Sequence, residues 1–419
     1  MKRHVIDPDW QEKLRANKWG YISSPLNIAL ILENDDAIRH VIAKNEFTEA
    51  VEKVQVPPWG GELGEWKDLD DNRLGMWIEE RYGFSPRPAE LQMAVVEVAD
   101  RNRIHPPREW LDSLQWDGIK RLGSWMHDLL GSEDTEYVRL VGIKFLVMSV
   151  ARIFEPGCKA DNVPIFEGPQ GARKSSMLRV LGGSWFTDAP LKIGDKEAYL
   201  LMLGSWIIEV AELDALSKAE ASASKAFFGA SENHYRPWYA RRAVKVKRQC
   251  IFAGTVNETQ YLKDDTGGRR YWPVRVAKID IPGLEIVRDQ LFAEAVAAFR
   301  AGVHWWVTEA ERPLFEEQQE ERFVGDVYAD LINEYLNSPE GATRSEFSTR
   351  HFLEHAIKLD RGRWTRAEES RVGRCVAKIG LTKQRASRPD ANGDRPWLYV
   401  RPAKKAEAMS DINEIDIPF

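Results

Sequence analysis

The chain has 419 residues, 43% of them hydrophobic and 30% charged, with a formal net charge of −6. That length predicts two or three globular domains; no run of about 18 apolar residues marks a transmembrane helix, and the opening stretch from Met1 to Asp9 has no apolar signal region. Cys158, Cys250 and Cys375 form no CxxC pair and the eight histidines show no metal-ligand spacing, which argues against a zinc ribbon or disulfide framework and fits the cytoplasm.

Residues 1–135 read as a mostly helical N-terminal region with loops. Leu26 to Leu32 is an apolar run, Met76 to Gly83 ends on a glycine cap, and Pro106-Pro107 breaks the chain before a short helix from Arg108 to Leu114. Residues 136–310 change character. Tyr137, Leu140, Val141, Phe145, Val147 and Met148 predict a long apolar helix over 136–154. Short continuous strands follow at Val163–Phe166, at Trp206–Ile208 with Val210, and at Cys250–Ala253. Such strands spaced by helices predict a parallel sheet covered on both faces.

The first strand runs into Gly168-Pro169-Gln170-Gly171-Ala172-Arg173-Lys174-Ser175-Ser176 and then an apolar helix. A glycine-bearing loop between strand and helix suits a triphosphate, because its amides surround the β-phosphate without side-chain interference. Gly168, Gln170, Gly171, Ala172, Arg173, Lys174, Ser175 and Ser176 are the candidate ATP-binding residues. Lys174 would meet the β and γ oxygens, and Ser175 would offer its hydroxyl to Mg²⁺. Arg173 stands where the strict pattern has glycine.

Trp206-Ile207-Ile208-Glu209-Val210-Ala211-Glu212-Leu213 delivers carboxylates to the end of a buried strand, where ligands bind in open α/β sheets. Phosphoryl transfer to water needs an acid for Mg²⁺ and a base for the water. Glu212 is the better-placed acid, and Glu209 is the second candidate. Asn257 ends a third strand and is a candidate γ-phosphate sensor. Arg269 and Arg270, on the glycine-rich turn Asp264-Asp265-Thr266-Gly267-Gly268, suit an arginine finger reaching across a subunit interface; the sequence leaves open which of the two.

Tyr235 to Arg248 packs six cations and three aromatics into fourteen residues. That mixture suits single-stranded DNA, with charge for phosphates and rings for bases. Arg241, Arg242, Lys245 and Lys247 are the candidates, the two lysines on one face of a strand. A merely solvated strand weighs about equally.

Residues 311–405 carry the charge asymmetry. From Gly341 to Lys405, 16 Lys and Arg stand against 7 Asp and Glu, a surplus of nine positive charges that leaves −15 for the remainder. Phe323, Val327, Leu331, Ile332 and Tyr335 fit one helix face. Thr349 caps a helix to Ile357, and Thr365 with Glu368 forms a capping box for a helix ending at Gly380. Lys383-Gln384-Arg385 and Trp397 to Val400 flank the turn signal Asn392-Gly393. Helices followed by a basic hairpin predict a winged helix whose partner is DNA or protein. For DNA, Arg371, Arg374 and Lys378 align on one helix face. Residues 406–419 read as a flexible acidic tail.

In order and content these segments resemble the virulence-associated protein E family, whose ATPase is related to the superfamily 3 helicases of viruses and phages. Gly168-Pro169-Gln170-Gly171 with Lys174-Ser175, the Trp206–Leu213 strand, Ala253 to Asn257, and Thr266 to Val274 carry the likeness; weaker similarity covers Ile31–Asp35, Asn45–Phe47 and Trp110–Gly118. The resemblance implies an α/β fold with an AAA+-like P-loop ATPase core, acting as a replicative DNA helicase of a phage or mobile element. It further implies a ring around DNA, with six subunits the expected count, Lys174 and Ser175 on ATP and Mg²⁺, Glu212 as strand-end acid, Asn257 as sensor, and Arg269 or Arg270 acting in trans. The basic segment before Asn257 corresponds to a hairpin entering the ring channel. Glu232 stands about where the family tends to carry an aspartate. Some relatives add a primase domain; no acidic primase motif is seen here, and the chain is too short to hold one. Two other readings remain: an ATP-switched initiator or regulator without unwinding, and a scaffold with a degenerate loop.

Overall fold

The structure is a computed structural model that describes residues 9–191, 196–211, 226–235, 243–257, 268–322, 327–385 and 397–401. The chain divides into two compact units, residues 1–323 and 324–419. The first takes in both the region expected to be helical and the expected ATPase region.

The N-terminal part starts with α1 (Pro25–Asn34). Ser24 Oγ accepts the Asn27 amide at 3.2 Å, and Pro25 fills the first helical position, where its missing N–H costs nothing. Ile28, Ile31 and Leu32 are buried in a cluster with Leu91, Val95 and Val98 of α3 (Pro88–Arg101). The intervening α2 (Asp68–Tyr82) ends, as expected, on Gly83, at φ 73°. Helices and loops are not the whole of this region. β1 (Ile42–Asn45), β2 (Ala50–Lys53), β3 (Gly64–Glu65) and β4 (Arg103–Ile104) form a sheet in the order β3-β2-β1-β4. These strands span two to four residues, too few for an alternating pattern to declare itself. Pro106 and Pro107 do not break the chain ahead of a helix; they form the first turn of α4 (Pro106–Ser113).

After α5 (Trp125–Leu130), α6 (Glu136–Phe154) begins where Thr135 Oγ1 accepts the Val138 amide. It is buried on nearly every side, as its unbroken apolar text requires. The chain then builds β5 (Val163–Glu167), α7 (Lys174–Gly182), β6 (Phe186–Thr187), α8 (Lys196–Leu201), β7 (Ile207–Ala211), the pair β8 (Glu232–Tyr235) and β9 (Val244–Lys247), then β10 (Ile251–Val256) and β11 (Tyr271–Arg275). Two more helices follow, α9 (Ile281–Arg300) and α10 (Arg312–Glu321).

Five of these strands form one parallel sheet in the order β11-β5-β10-β7-β6. Successive strand residues face opposite ways, and neighbours on β5 show it. Phe166 joins Phe145, Trp206, Trp272 and Phe292 on the face covered by α6, α7 and α9. Ile165 joins Ile208, Phe252, Phe227, Phe228 and Met202 on the other. The parallel sheet with two covered faces is thus as the sequence predicts. Among the described residues no helix is long and apolar enough to cross a membrane.

The second unit holds α11 (Val327–Asn337), α12 (Pro339–Ala342), β12 (Glu346–Phe347), α13 (Thr349–His351, running on through a π turn at Phe352–Ala356), α14 (Arg366–Lys378), β13 (Thr382–Arg385) and β14 (Trp397–Val400). The strands pair antiparallel in the order β12-β14-β13. Ile332, Tyr335, Phe347, Phe352, Val372, Val376 and Tyr399 form its core. Ser348, not Thr349, caps α13: its Oγ accepts the His351 amide, three residues on, as an N-cap hydroxyl does. Thr365 accepts from Glu368, the hydroxyl arm of the expected capping box. Phe323, the turn at Asn392-Gly393 and the 406–419 tail lie outside the described residues.

Candidate functional site

The loop joining β5 to α7 is shaped by its backbone. A Cβ at Gly168 would lie 2.7 Å from the carbonyl oxygen of Val276, so only glycine passes there, and Gly171 turns at φ +84°. Arg173 takes φ 66°, a left-handed conformation that an L-residue adopts at a cost of about 1–2 kcal/mol. The position expected to want glycine therefore does hold a glycine-like backbone, with an arginine side chain on it.

Lys174 opens α7. Its ammonium, on a residue only 8% exposed, donates to the carbonyls of Gly168 (2.6 Å) and Pro169 (3.1 Å) and to Asn257 Oδ1 (3.1 Å). Burial pushes its pKa below the usual lysine value, while the nearby Glu209 pulls the other way. Next in sequence, Ser175 Oγ donates to Glu209 Oε1 at 2.8 Å, and Thr255 Oγ1 donates to the same oxygen at 2.7 Å. Glu209 is 4% exposed and its other oxygen, Oε2, is buried without a partner among the described residues. A buried carboxylate oxygen without a donor is costly. A hard cation would remove that cost, and a carboxylate beside a hydroxyl is an oxygen donor set suited to Mg²⁺.

Three adjacent strands make this meeting possible. Val256 of β10 pairs with Glu167 of β5, and Thr255 pairs with Ala211 of β7. The C-terminal ends of β5, β10 and β7 therefore open on one cleft of about 320 Å³, lined by Gln170 to Ser176, Glu209, Ala211, Thr255, Val256 and Asn257. Ligands of open parallel sheets bind at this edge. Loop, Lys174, Ser175, Glu209 and Asn257, far apart in sequence, are thus brought together. Glu212 follows β7 but lies outside the described residues. Thr255 lies within the Ala253–Asn257 stretch, and its only signal in the sequence is a hydroxyl inside an apolar strand two residues before Asn257. A larger cavity of about 550 Å³ beside α5, α6 and α9 mixes both charge signs, among them His127, Asp134 and Arg139. Its buried Glu294 is already occupied by the amides of Arg121 and Leu122.

The cleft floor is braced from behind. Glu167, the last residue of β5, is buried against Arg322, whose Nε lies 3.0 Å from Oε1; the side chains are 1% and 10% exposed. Nothing in the sequence marked this pair, since its members stand 155 positions apart.

The basic segment before β10 forms the antiparallel pair β8–β9. Lys245 stands opposite His234 and Lys247 opposite Glu232, on the exposed face. That face is not wholly basic. Glu232 pairs with His234 at 2.7 Å and stands 3.9 Å from Lys245; the hydrogen bond from His234, ahead of the nearby charges, holds its carboxyl below the usual range. Arg248, counted above among the cations for DNA, is 2% exposed and structural. It donates to Asn233 Oδ1 (2.7 Å) and to the Phe227 carbonyl, and its guanidinium sits 4.8 Å from the Phe227 ring centre. Arg241 and Arg242 lie outside the described residues.

Arg269 and Arg270 precede β11, whose Tyr271 pairs with Val163 and whose Arg275 pairs with Glu167. They therefore stand at the opposite end of the sheet from the loop, beyond four strand steps of roughly 3.3 Å each. Arg270 is held by Asp161 at 3.1 Å, whereas Arg269 is exposed. Asp264 and Asp265, of the same turn, lie outside the described residues. In the second unit Arg374 is exposed, Arg371 lies 3.8 Å over the Tyr328 ring, and the Lys378 side chain is not described.

A model of the virulence-associated protein E-like domain matches residues 111–324 of the chain. No curated protein matches it. Among solved structures, the A-form apo structure of the NrS-1 C-terminal region aligns with 90% of this chain and 100% of its own, at TM-score 0.50 and 11% identity. A second apo structure of that region aligns with 90% and 99%, at TM-score 0.48 and 13% identity. The likeness at this identity is one of fold.

Proposed function

This chain belongs to the virulence-associated protein E-like domain family, and on that premise we propose that it is the ATP-hydrolysing motor of a DNA helicase in phage or mobile-element replication. The observation that carries the proposal is the convergence at the sheet edge: Lys174 on Asn257, and Ser175 on Glu209, around one cleft. A lysine held among carbonyls at the start of a helix is a place for a polyanion, because the helix amides and the ammonium both offer positive charge. The loop amides of 168–173 cradle the phosphates, Asn257 reads the γ-phosphate and orients water, and Glu209 with Ser175 holds Mg²⁺. When bound, that ion offsets charge on the phosphate oxygens. Glu212, one residue past β7, is the candidate base.

The strand order supports an AAA+-like P-loop core, because β10, carrying the sensor, lies between the loop strand and the acidic strand. Arginines at the far end of the sheet cannot serve their own cleft and suit a neighbour's, which favours a ring, with six copies the expected number. Arg269 is the better finger, since Arg270 is engaged by Asp161. The β8–β9 pair with Lys245 and Lys247 faces the DNA strand in the channel, and Arg241 and Arg242 are the further candidates for that contact. The second unit is a winged helix offering Arg371, Arg374 and Lys378 to duplex DNA.

The test is ATP turnover with and without single-stranded DNA, alongside displacement of a labelled strand. Turnover raised by DNA, strand displacement, and loss of both in Lys174→Ala are expected. Turnover without displacement would leave an ATP-switched initiator; no nucleotide binding would overturn the motor reading.

A further inference from the structure

The β13–β14 ladder places Arg385 opposite Trp397 and Lys383 opposite Tyr399. Directly opposed residues of an antiparallel pair share a face, so these four side chains do. Tyr399, 5% exposed, closes the core of its unit. Trp397, two residues earlier, lies past the edge of that core and is 48% exposed. Two cations lean on its indole: the Arg385 guanidinium at 4.6 Å and the Lys383 ammonium at 5.1 Å from the ring centre. β13 is an edge strand and is exposed at all four positions.

Covering the exposed part of the indole would gain apolar burial. The ligand that suits the place best is flat, to match the ring, and negatively charged, to suit the two cations beside it. A nucleotide meets both demands, because a planar base lies beside each phosphate. In a duplex the base faces are already stacked on one another, so only an unpaired base is available to the ring. An acidic peptide would match the charge but leave the indole face bare. The surrounding segment, with its nine surplus positive charges, draws polyanions to this surface.

We propose that Trp397 is a stacking platform for a base of single-stranded DNA, with Lys383 and Arg385 on the flanking phosphates. This second contact is distinct from the α14 face that would dock on duplex. It rests on the reading above only in taking DNA as the partner, and it is independent of ATP turnover.

The experiment measures binding of the full chain, without nucleotide, to a dye-labelled single strand, to the same strand carrying abasic sites, and to a blunt duplex, by fluorescence anisotropy across salt concentrations. Trp397→Ala is expected to weaken binding to the intact strand about tenfold while leaving the salt dependence unchanged. Trp397→Phe retains most of the affinity. On the abasic strand, wild type and Trp397→Ala bind alike. Lys383→Gln with Arg385→Gln flattens the slope of log affinity against log salt. Equal loss on all three ligands would mean a structural role and overturn the proposal. So would undiminished binding of Trp397→Ala to the intact strand, or competition by an acidic peptide that exceeds competition by single strands. Failure of ATP turnover with this pattern intact would sink the motor reading and leave the platform standing.

Discussion

Ser175 and Glu209 meet across two elements: the hydroxyl in the first turn of α7 donates to the β7 carboxylate at 2.8 Å, and the second carboxylate oxygen is buried with no partner among the described residues. Replacing Glu209 with glutamine keeps size and the hydroxyl contact but removes the charge. Glu209→Gln should lower ATP turnover by about 100-fold or more while a fluorescent ATP analogue still binds. A steady-state assay with the binding control decides it; unchanged turnover would remove Glu209 from the site.

Lys174 is held among three oxygen acceptors with its pKa depressed by burial. A triphosphate beside it would raise that pKa again, so binding favours the protonated form. Affinity should be full below the depressed pKa of the free protein and should fall as pH rises through it. Proton uptake should accompany binding in that window. Calorimetry in two buffers of different ionisation heat, from neutral to alkaline pH, reads both; no proton uptake anywhere would contradict the assignment.

Arg173 takes a backbone conformation at φ 66° that glycine adopts freely. Arg173→Gly should relieve a strain of about 1–2 kcal/mol, partly offset by glycine's greater freedom when unfolded. The unfolding midpoint of the nucleotide-free protein should rise by about 1–2 °C, with ATP-analogue binding retained. A drop in midpoint would show that the arginine side chain holds the loop.

Much of this site was legible. Gly168, Lys174 and Ser175 were legible because the loop is local: eight consecutive residues carry its geometry. Glu209 was legible only as a second acid inside an apolar strand, behind Glu212, and Asn257 as a polar residue at a strand end; their convergence depends on β10 lying between β5 and β7, an order that no spacing encodes. The sheet in the N-terminal part was illegible because its strands are too short for periodicity, and Arg248 read as a surface cation because composition does not reveal that Phe227 and Asn233 close over it. The Glu167–Arg322 brace was invisible for the same long-range reason.

That brace carries its own prediction. Arg322→Met leaves Glu167 buried without its cation, a loss of about 3–5 kcal/mol. The paired change Glu167→Gln with Arg322→Met should recover a large part of it, because no charge is then stranded. Thermal unfolding of wild type, both single variants and the double variant checks the coupling; additive effects would show that the pair is incidental.

Arg269 and Lys174 would serve different copies of one pocket. Arg269→Ala should bind nucleotide yet turn over about 1000-fold more slowly, and so should lack activity alone, as Lys174→Ala should. Mixing the two variants should restore part of the turnover, since some interfaces then hold an intact Lys174 and an intact Arg269. Mixtures no more active than their components would remove Arg269 from the shared pocket.

The central claim is that the loop from Gly168 to Ser175 binds a triphosphate. Calorimetric titration of the full chain with Mg²⁺ and a non-hydrolysable ATP analogue tests it most directly. The account predicts saturable binding at one site per chain that disappears in Lys174→Ala while the fold, by circular dichroism, is retained. Binding that persists undiminished in Lys174→Ala, or no binding to the wild-type chain, would contradict it.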